Sequence, residues 1–282
     1  MADSTSPIIL SPADFADTGQ WRLLIYVSRG GMRALLRHVS DAERPLIQLF
    51  DEQWDPAGGG SLLAKIENAV YSHPSLLDDY ATDVVIETSR VTWVPDSLLC
   101  SGRLNEETVY QAVYPGASSD VLTDRVGEAT ALYEFIPDFG SFMARTLPGA
   151  RLRPHIAVLV EKFLDAPRDP DTLCIYADMR AGEIDLVAVK NEALVSASVQ
   201  PWQSAEDAAY RIFHLINAYS SGGADCRVSV NCSDQVLVSQ VLGFTRGFCR
   251  EAAVMKLPER MAACGLPLAA AMLMCKVPDR EV

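Results

Sequence analysis

Three short apolar runs in succession, within TLCIYADMRAGEIDLVAVKNEALVSASVQPW (residues 172–202), do most to limit what this chain can fold into. Leu173 to Ala177, Ile184 to Val189 and Leu194 to Val199 each have the length of a strand, with turns around Met179–Gly182 and Lys190–Glu192 between them. Apolar runs bounded by Gly, Asn and charged residues mark a β-meander. A helix should follow from Ser204, which forms a capping-box-like pair with Asp207. Its apolar stripe is Ala208, Ile212, Leu215, Ile216 and Tyr219, and CRVSV reads as the next strand.

The same order occurs earlier in the chain. RLLIYV, MRALLRHV and LIQLF are three strands with turns at Ser28–Gly31 and SDAERP between them. Ser61 then caps a helix carrying Leu62, Leu63, Ile66, Ala69 and Val70, which stops near His73-Pro74 before the strand DVVIE. The two copies are offset by roughly 150 residues and share element order rather than residue identity. Three strands, a helix and a parallel strand make the order of an RNase H-like core. The expected fold class is therefore α/β, with tandem RNase H-like cores as in the two-lobed actin-like ATPase fold, mixed sheets and helices.

The expected organisation is a polar arm over 1–20, an N-terminal lobe over 21–164 and a C-terminal lobe over 172–282. The segment 165–171, DAPRDPD, has two prolines and three acids and reads as the linker. Within the first lobe, VTWVPDSLL, SDVLTDRVG, ATALYEFI and ARLRPHI read as further strands. Helices are expected over 106–114, 138–147 and 157–164, and a closing apolar helix over 261–276, buried on most of its surface.

Charge and cysteine usage exclude several functions. With 24 basic and 37 acidic residues the formal charge is −13, which disfavours nucleic acid as a partner. Seven cysteines without a C-x-x-C fit free thiols of a reducing, cytoplasmic setting better than a disulfide framework. Neither the N-terminus nor residues 261–275 reads as a signal peptide or a membrane span. The motifs of P-loops, dinucleotide folds, zinc proteases and nucleophile elbows are all missing. Arg29, Arg33 and Arg37 alternate along the first hairpin and share one face, which reads as a solvated strand face, with anion binding as the alternative.

Four stretches, LLIYVSRGGMRALL, DVVIETSRVTWVPDSLL, LYEFIPDFGSFMARTLPGARLRPHIAVLVEKF and LCIYADMRAGEIDLVAVKNEALVSASV with its helix AEDAAYRIFHLINAY, carry a family resemblance. In order and spacing they resemble the bacterial domain-of-unknown-function family 3822, whose structural members have a duplicated actin-like fold. The resemblance runs from Trp21 to Leu257. A more distant likeness, carried by His155-Ile-Ala-Val-Leu and by Gly265-Leu266-Pro267-Leu268, is to actin-like scaffold proteins of pilus assembly and type II secretion. It implies a protein partner.

The resemblance also implies where a nucleotide would sit. In actin-like ATPases the turn after the first strand of each half cradles phosphate, and an acid at the strand end serves magnesium. In the first half Gly30 and Gly31 are present without the acid. In the second half Asp178 is in place and Gly182 is near, but Arg180 occupies the position where glycine would let phosphate approach. No Ser or Thr follows Gly182, and Val230–Asp234 lacks an adenosine-side Gly-Gly. Gly30, Gly31, Asp178 and Gly182 are thus the cofactor-binding candidates, conditional on a nucleotide binding between the lobes. No catalytic residue and no metal ligand set is nominated. The reading is a non-enzymatic actin-like scaffold or protein-binding module without a cofactor. A diverged nucleotide-binding switch or ATPase using ATP and magnesium is the alternative, and a sugar-kinase-like enzyme has least behind it.

Overall fold

The computed structural model describes residues 17–40, 46–55, 59–102, 104–117, 120–220 and 223–275. In chain order the elements begin with β1 (Trp21–Val27), β2 (Gly31–His38), β3 (Ile47–Gln53), α1 (Leu62–Ser72) and β4 (Ala81–Ile86). Next come β5 (Val91–Pro95), α2 (Asp96–Cys100), α3 (Glu106–Val113), β6 (Leu122–Val126), β7 (Ala129–Tyr133), α4 (Phe139–Thr146), β8 (Arg151–Pro154) and α5 (His155–Leu164). The second meander is β9 (Leu173–Met179), β10 (Glu183–Lys190) and β11 (Ala193–Pro201). After it follow α6 (Ala205–Tyr219), β12 (Cys226–Cys232), α7 (Gln235–Thr245), β13 (Glu251–Val254), α8 (Glu259–Ala263) and α9 (Leu268–Met274).

Two five-stranded sheets have the same plan. One runs β3-β2-β1-β4-β8 and the other β11-β10-β9-β12-β13. In each, the first three strands pair antiparallel and the first strand pairs parallel with the strand that follows the helix. Even the irregularities correspond, since the register shifts at Ala34/Leu35 in one sheet and at Ala188/Val189 in the other. The central strands are buried along nearly their whole length. Sheets covered on both faces read as solid apolar runs rather than alternating ones.

In the second sheet Leu173, Ile175, Ala177 and Met179 join one core cluster with Ala208, Ile212 and Ile216 of α6 and with Val238, Val241 and Leu242 of α7. Tyr176 alternates with them and stacks on Phe163 of α5, ring centroids 3.9 Å apart. Helix α5 therefore covers the opposite face. A third sheet, in the order β5-β7-β6, packs on α5 and β11. Its far side is closed by a small cluster of Val94, Tyr110 and Leu132.

By packing, the chain forms two units, and their boundaries differ from the division at 165–171. Among the described residues, one unit lies within 17–87, 135–153 and 274–275, and the other within 88–134 and 154–273. The proline-rich segment reads as a linker, yet it is a pinned turn within the second unit. The Arg168 guanidinium donates to the Phe163 and Leu164 carbonyls at the end of α5. Asp169 pairs with Arg227 at 3.3 Å, and the Pro170 carbonyl accepts from the Asn191 N–H.

Three local expectations are corrected. The expected closing helix is two short ones, because Gly265 takes a left-handed φ of 62° and Pro267 removes a donor between α8 and α9. His155, expected at a strand end, is the first residue of α5. Arg33 and Arg37 do not form a solvated face, since Arg33 pairs with Asp51 at 2.5 Å and Arg37 is buried. Most of the N-terminal arm, residues 1–16, lies outside the described residues, as does Gly222.

Candidate functional site

The two hairpins that carry the candidate residues are built alike. In the first unit Ser28 N–H donates to the Gly31 carbonyl, and Trp54 N–H at the end of β3 donates to the Gly30 carbonyl, at 2.9 and 2.8 Å. In the second unit Arg180 N–H donates to the Glu183 carbonyl and Trp202 N–H to the Gly182 carbonyl, at 2.8 and 3.1 Å. Ser28, Gly30 and Trp54 thus stand in the roles of Arg180, Gly182 and Trp202.

The glycines serve different needs. Gly31 opens β2 against β3, where an added Cβ would collide with the Glu52 carbonyl oxygen. At Gly30 an added Cβ meets nothing closer than Ser28 Oγ at 3.8 Å. The Gly30 N–H is already given to Ser28 Oγ at 3.2 Å, and that hydroxyl donates to the Gly31 carbonyl. Gly182 has φ of 76°, the left-handed conformation a side chain resists, and it tightens the turn. Gly30 and Gly31 share one turn. Asp178 and Gly182 lie four residues apart on the other hairpin, in the other unit.

Asp178 sits on β9 with its side chain buried, 5% exposed. Its neighbours across the sheet are Asn231 on β12 and Asp185 on β10. Asn231 Nδ2 donates to Asp178 Oδ1 at 2.6 Å. Burial first, and then the Asp185 charge, push the Asp178 carboxyl up to about 6, against the pull of Asn231, Arg180 and His155. Asp185 is as deeply buried, and burial alone would raise it too. His155 and Arg180 outweigh that and hold it at about 2.

The contacts explain the contrast. Arg180 folds back over its own turn and grips Asp185 with two prongs, Nε to Oδ2 and Nη2 to Oδ1, both at 2.8 Å. The same Nη2 donates to Glu183 Oε2 at 3.1 Å. Thr88 N–H donates to His155 Nδ1 at 3.4 Å, and the other ring nitrogen, Nε2, lies 3.0 Å from both Asp185 Oδ1 and Arg180 Nη2. Thr88 is in turn fixed by its hydroxyl, which donates to the Glu134 carbonyl at 2.8 Å. Trp202 Nε1–H donates to the Arg180 carbonyl and completes the cage.

His155, Asp185, Asn231 and Thr88 are members of this cluster that the motif comparison missed. A signal for Asp185 exists in the sequence. Asp178 and Asp185 are equidistant from the centre of a two-residue hairpin loop, which forces them opposite each other. A carboxylate inside the run IDLVAV must then find a cation. His155 and Thr88 come from far along the chain and leave no such trace. Among the described residues no group of three His, Cys, Asp or Glu side chains is placed to hold a metal ion. No described helix is long and apolar enough to cross a membrane.

Residues 11–229 match the family model described as "Protein of unknown function (DUF3822)". The chain belongs to this family. A crystal structure from Bacteroides thetaiotaomicron VPI-5482, of a protein with actin-like ATPase fold and unknown function, is similar at 18% identity and a TM-score of 0.75. The alignment covers 93% of this chain and 99% of that one. The PilM-PilN type IV pilus biogenesis complex aligns at 14% identity and a TM-score of 0.49, over 92% of this chain and 98% of that one. An ethanolamine utilization protein, EutJ from Carboxydothermus hydrogenoformans, aligns at 10% identity and 0.41, over 90% and 89%. Among curated proteins there is no match. The DUF3822 chain has the actin-like ATPase fold, and its paired five-stranded sheets are the strand-level expression of it.

Proposed function

We propose that this DUF3822 protein is a non-enzymatic, actin-like protein-binding module, a pseudo-ATPase built from a duplicated core. The observation that carries the reading is Arg180. Its guanidinium is the cation at the turn of the second hairpin, and it is committed to Asp185 and Glu183 instead of facing outward. Tight phosphate binding needs open backbone N–H groups and uncommitted positive charge or a well-held magnesium. Asp178 is buried and bonded to Asn231, and the Gly30 N–H is taken by Ser28. This donor set does not suit a magnesium triphosphate.

One observation favours the second reading, a diverged nucleotide-binding switch or ATPase. Asp178 stands at the end of the first strand of its sheet, where the fold's phosphate turns begin. Isothermal titration of magnesium-ATP into the full chain separates the two readings. The expected result is no heat of binding up to millimolar ligand. A dissociation constant in the low micromolar range, abolished by Asp178→Ala, would put the nucleotide switch in its place.

A further inference from the structure

Helices α6 and α7 leave an open groove of about 210 Å³, lined by Ala209, Tyr210 and Phe213 on one wall and by Phe244, Thr245 and Phe248 on the other, with Glu206 at one end. Its aromatics are not spent on the core. Tyr210 is 63% exposed, Phe248 51% and Phe244 45%, while Phe213 supports Phe248 edge-to-face at 4.5 Å. Thr245 turns its hydroxyl away to the Val241 and Leu242 carbonyls, leaving its methyl as lining. Exposed aromatics clustered in this way mark an interaction surface rather than ordinary surface. The groove is smaller than the 300 Å³ or so at which small-molecule pockets begin, and it suits one large side chain.

Charge around the groove is asymmetric. At the α7 end Arg246 and Arg250 flank the lining residues Thr245 and Phe248, both exposed, and neither has a carboxylate partner among the described residues. At the other end the Glu206 carboxylate is turned toward its own helix start, where its own backbone N–H and then the Ser204 hydroxyl hold it below its usual range. Two exposed arginines next in sequence to the slot's aromatics make a local positive patch on a chain whose net charge is −13, and that patch attracts an acidic segment and disfavours a basic one.

We propose that the α6–α7 groove docks a short segment of a protein partner. The segment places one aromatic or leucine side chain between Tyr210, Phe244 and Phe248, and acidic residues next to that anchor meet Arg246 and Arg250. The inference rests on the protein-binding reading above and names the surface and partner chemistry it leaves open.

The test is selection of a random 16-residue displayed peptide library on the full chain, with the Phe244→Asp/Phe248→Asp variant as counter-target. Enrichment of peptides with a large apolar anchor and Asp or Glu within a few residues of it is expected. For an enriched peptide, Phe248→Ala should weaken binding about tenfold or more, as loss of a central aromatic does. Arg246→Glu/Arg250→Glu should weaken it and reduce its salt dependence. No enrichment over the counter-target, or enrichment of basic or anchor-free peptides, overturns the proposal. So does a concentration-dependent dimer, by sedimentation, that Phe248→Asp dissolves, because the occupant is then a second copy. Unchanged melting of each variant keeps misfolding out of the comparison. The nucleotide titration is independent of all of these outcomes, so a failed groove with no ATP binding removes only this surface and leaves the non-enzymatic reading in place.

Discussion

Asp178 and Asp185 face each other across β9 and β10, but of the two it is Asp185 that takes the hydrogen bonds of His155 and Arg180, while Asp178 is bonded by Asn231. The consequence for stability has opposite signs at the two residues. Asp178 is raised from 3.8 to about 6 in the folded chain, so between those values the native state holds a proton that the unfolded state has lost. Stability therefore falls as pH rises through that window, and the loss is complete above it. Asp185, held at about 2, contributes stability that is present above its ordinary value and lost as pH falls toward 2. The Asp178 shift corresponds to about 3 kcal/mol at most. Asp178→Asn keeps an acceptor for Asn231 and removes the charge. It should raise stability at pH 8 by about 1–3 kcal/mol and flatten the pH dependence between 4 and 6. Urea denaturation of both proteins at pH 4.5 and 8 measures this, and a less stable variant at pH 8 would be inconsistent with a strained Asp178. Half of the cluster could be read from the sequence. The turn centre dictates the Asp178–Asp185 pair, whereas His155 enters from the start of a helix 30 residues earlier, a distance no local spacing encodes.

At the scale of elements, a hairpin and a phosphate cradle make different demands on the same two glycines. As a hairpin, the first turn needs Gly31 for close packing against β3, and it needs nothing special at Gly30. As a phosphate cradle, it would need both. Gly31→Ala should cost about 1–3 kcal/mol, because the obstacle is a backbone carbonyl that cannot swing away. Gly30→Ala should stay within about 0.5 kcal/mol. Thermal denaturation of the two variants ranks them, and equal costs would mean the turn is held by something other than this packing. The strands and the N-caps of this fold were readable because each answers to a local rule. Ser61 and Ser204 accept the N–H three residues on, as their sequence positions require. The closing stretch reads as one helix in sequence because its apolar residues continue across Gly265 and Pro267, and hydrophobicity alone carries no record of backbone angle.

At the scale of the whole molecule, chain order and packing order part company. The sequence places α5 with the first half because prolines follow it. In the structure α5 covers the outer face of the second meander, with Phe163 on Tyr176 and His155 on Asp185. A proline-rich turn between a helix and its strand looks, in composition, like a linker, and only the contacts of Arg168, Asp169 and Pro170 distinguish them. This makes the organisation testable with fragments. A chain starting at Thr172 loses all seven buried residues of α5, from His155 to Phe163. Removing Phe163 alone should cost about 3–5 kcal/mol, by comparison with other buried Phe→Ala changes. A domain is stable by only about 5–15 kcal/mol in total, so the loss of the whole helix exceeds what the remainder can bear. It also strands Asp185 in an apolar face without its histidine. Residues 172–282 should therefore show the poor amide dispersion and weak near-ultraviolet signal of a loosely packed chain. Adding back residues 154–171 should restore part of the order, and supplying residues 88–134 as well should restore more, because β5 and β6 cover β11 and α5. A fragment from 172 that folds cooperatively on its own would place the boundary back at the prolines.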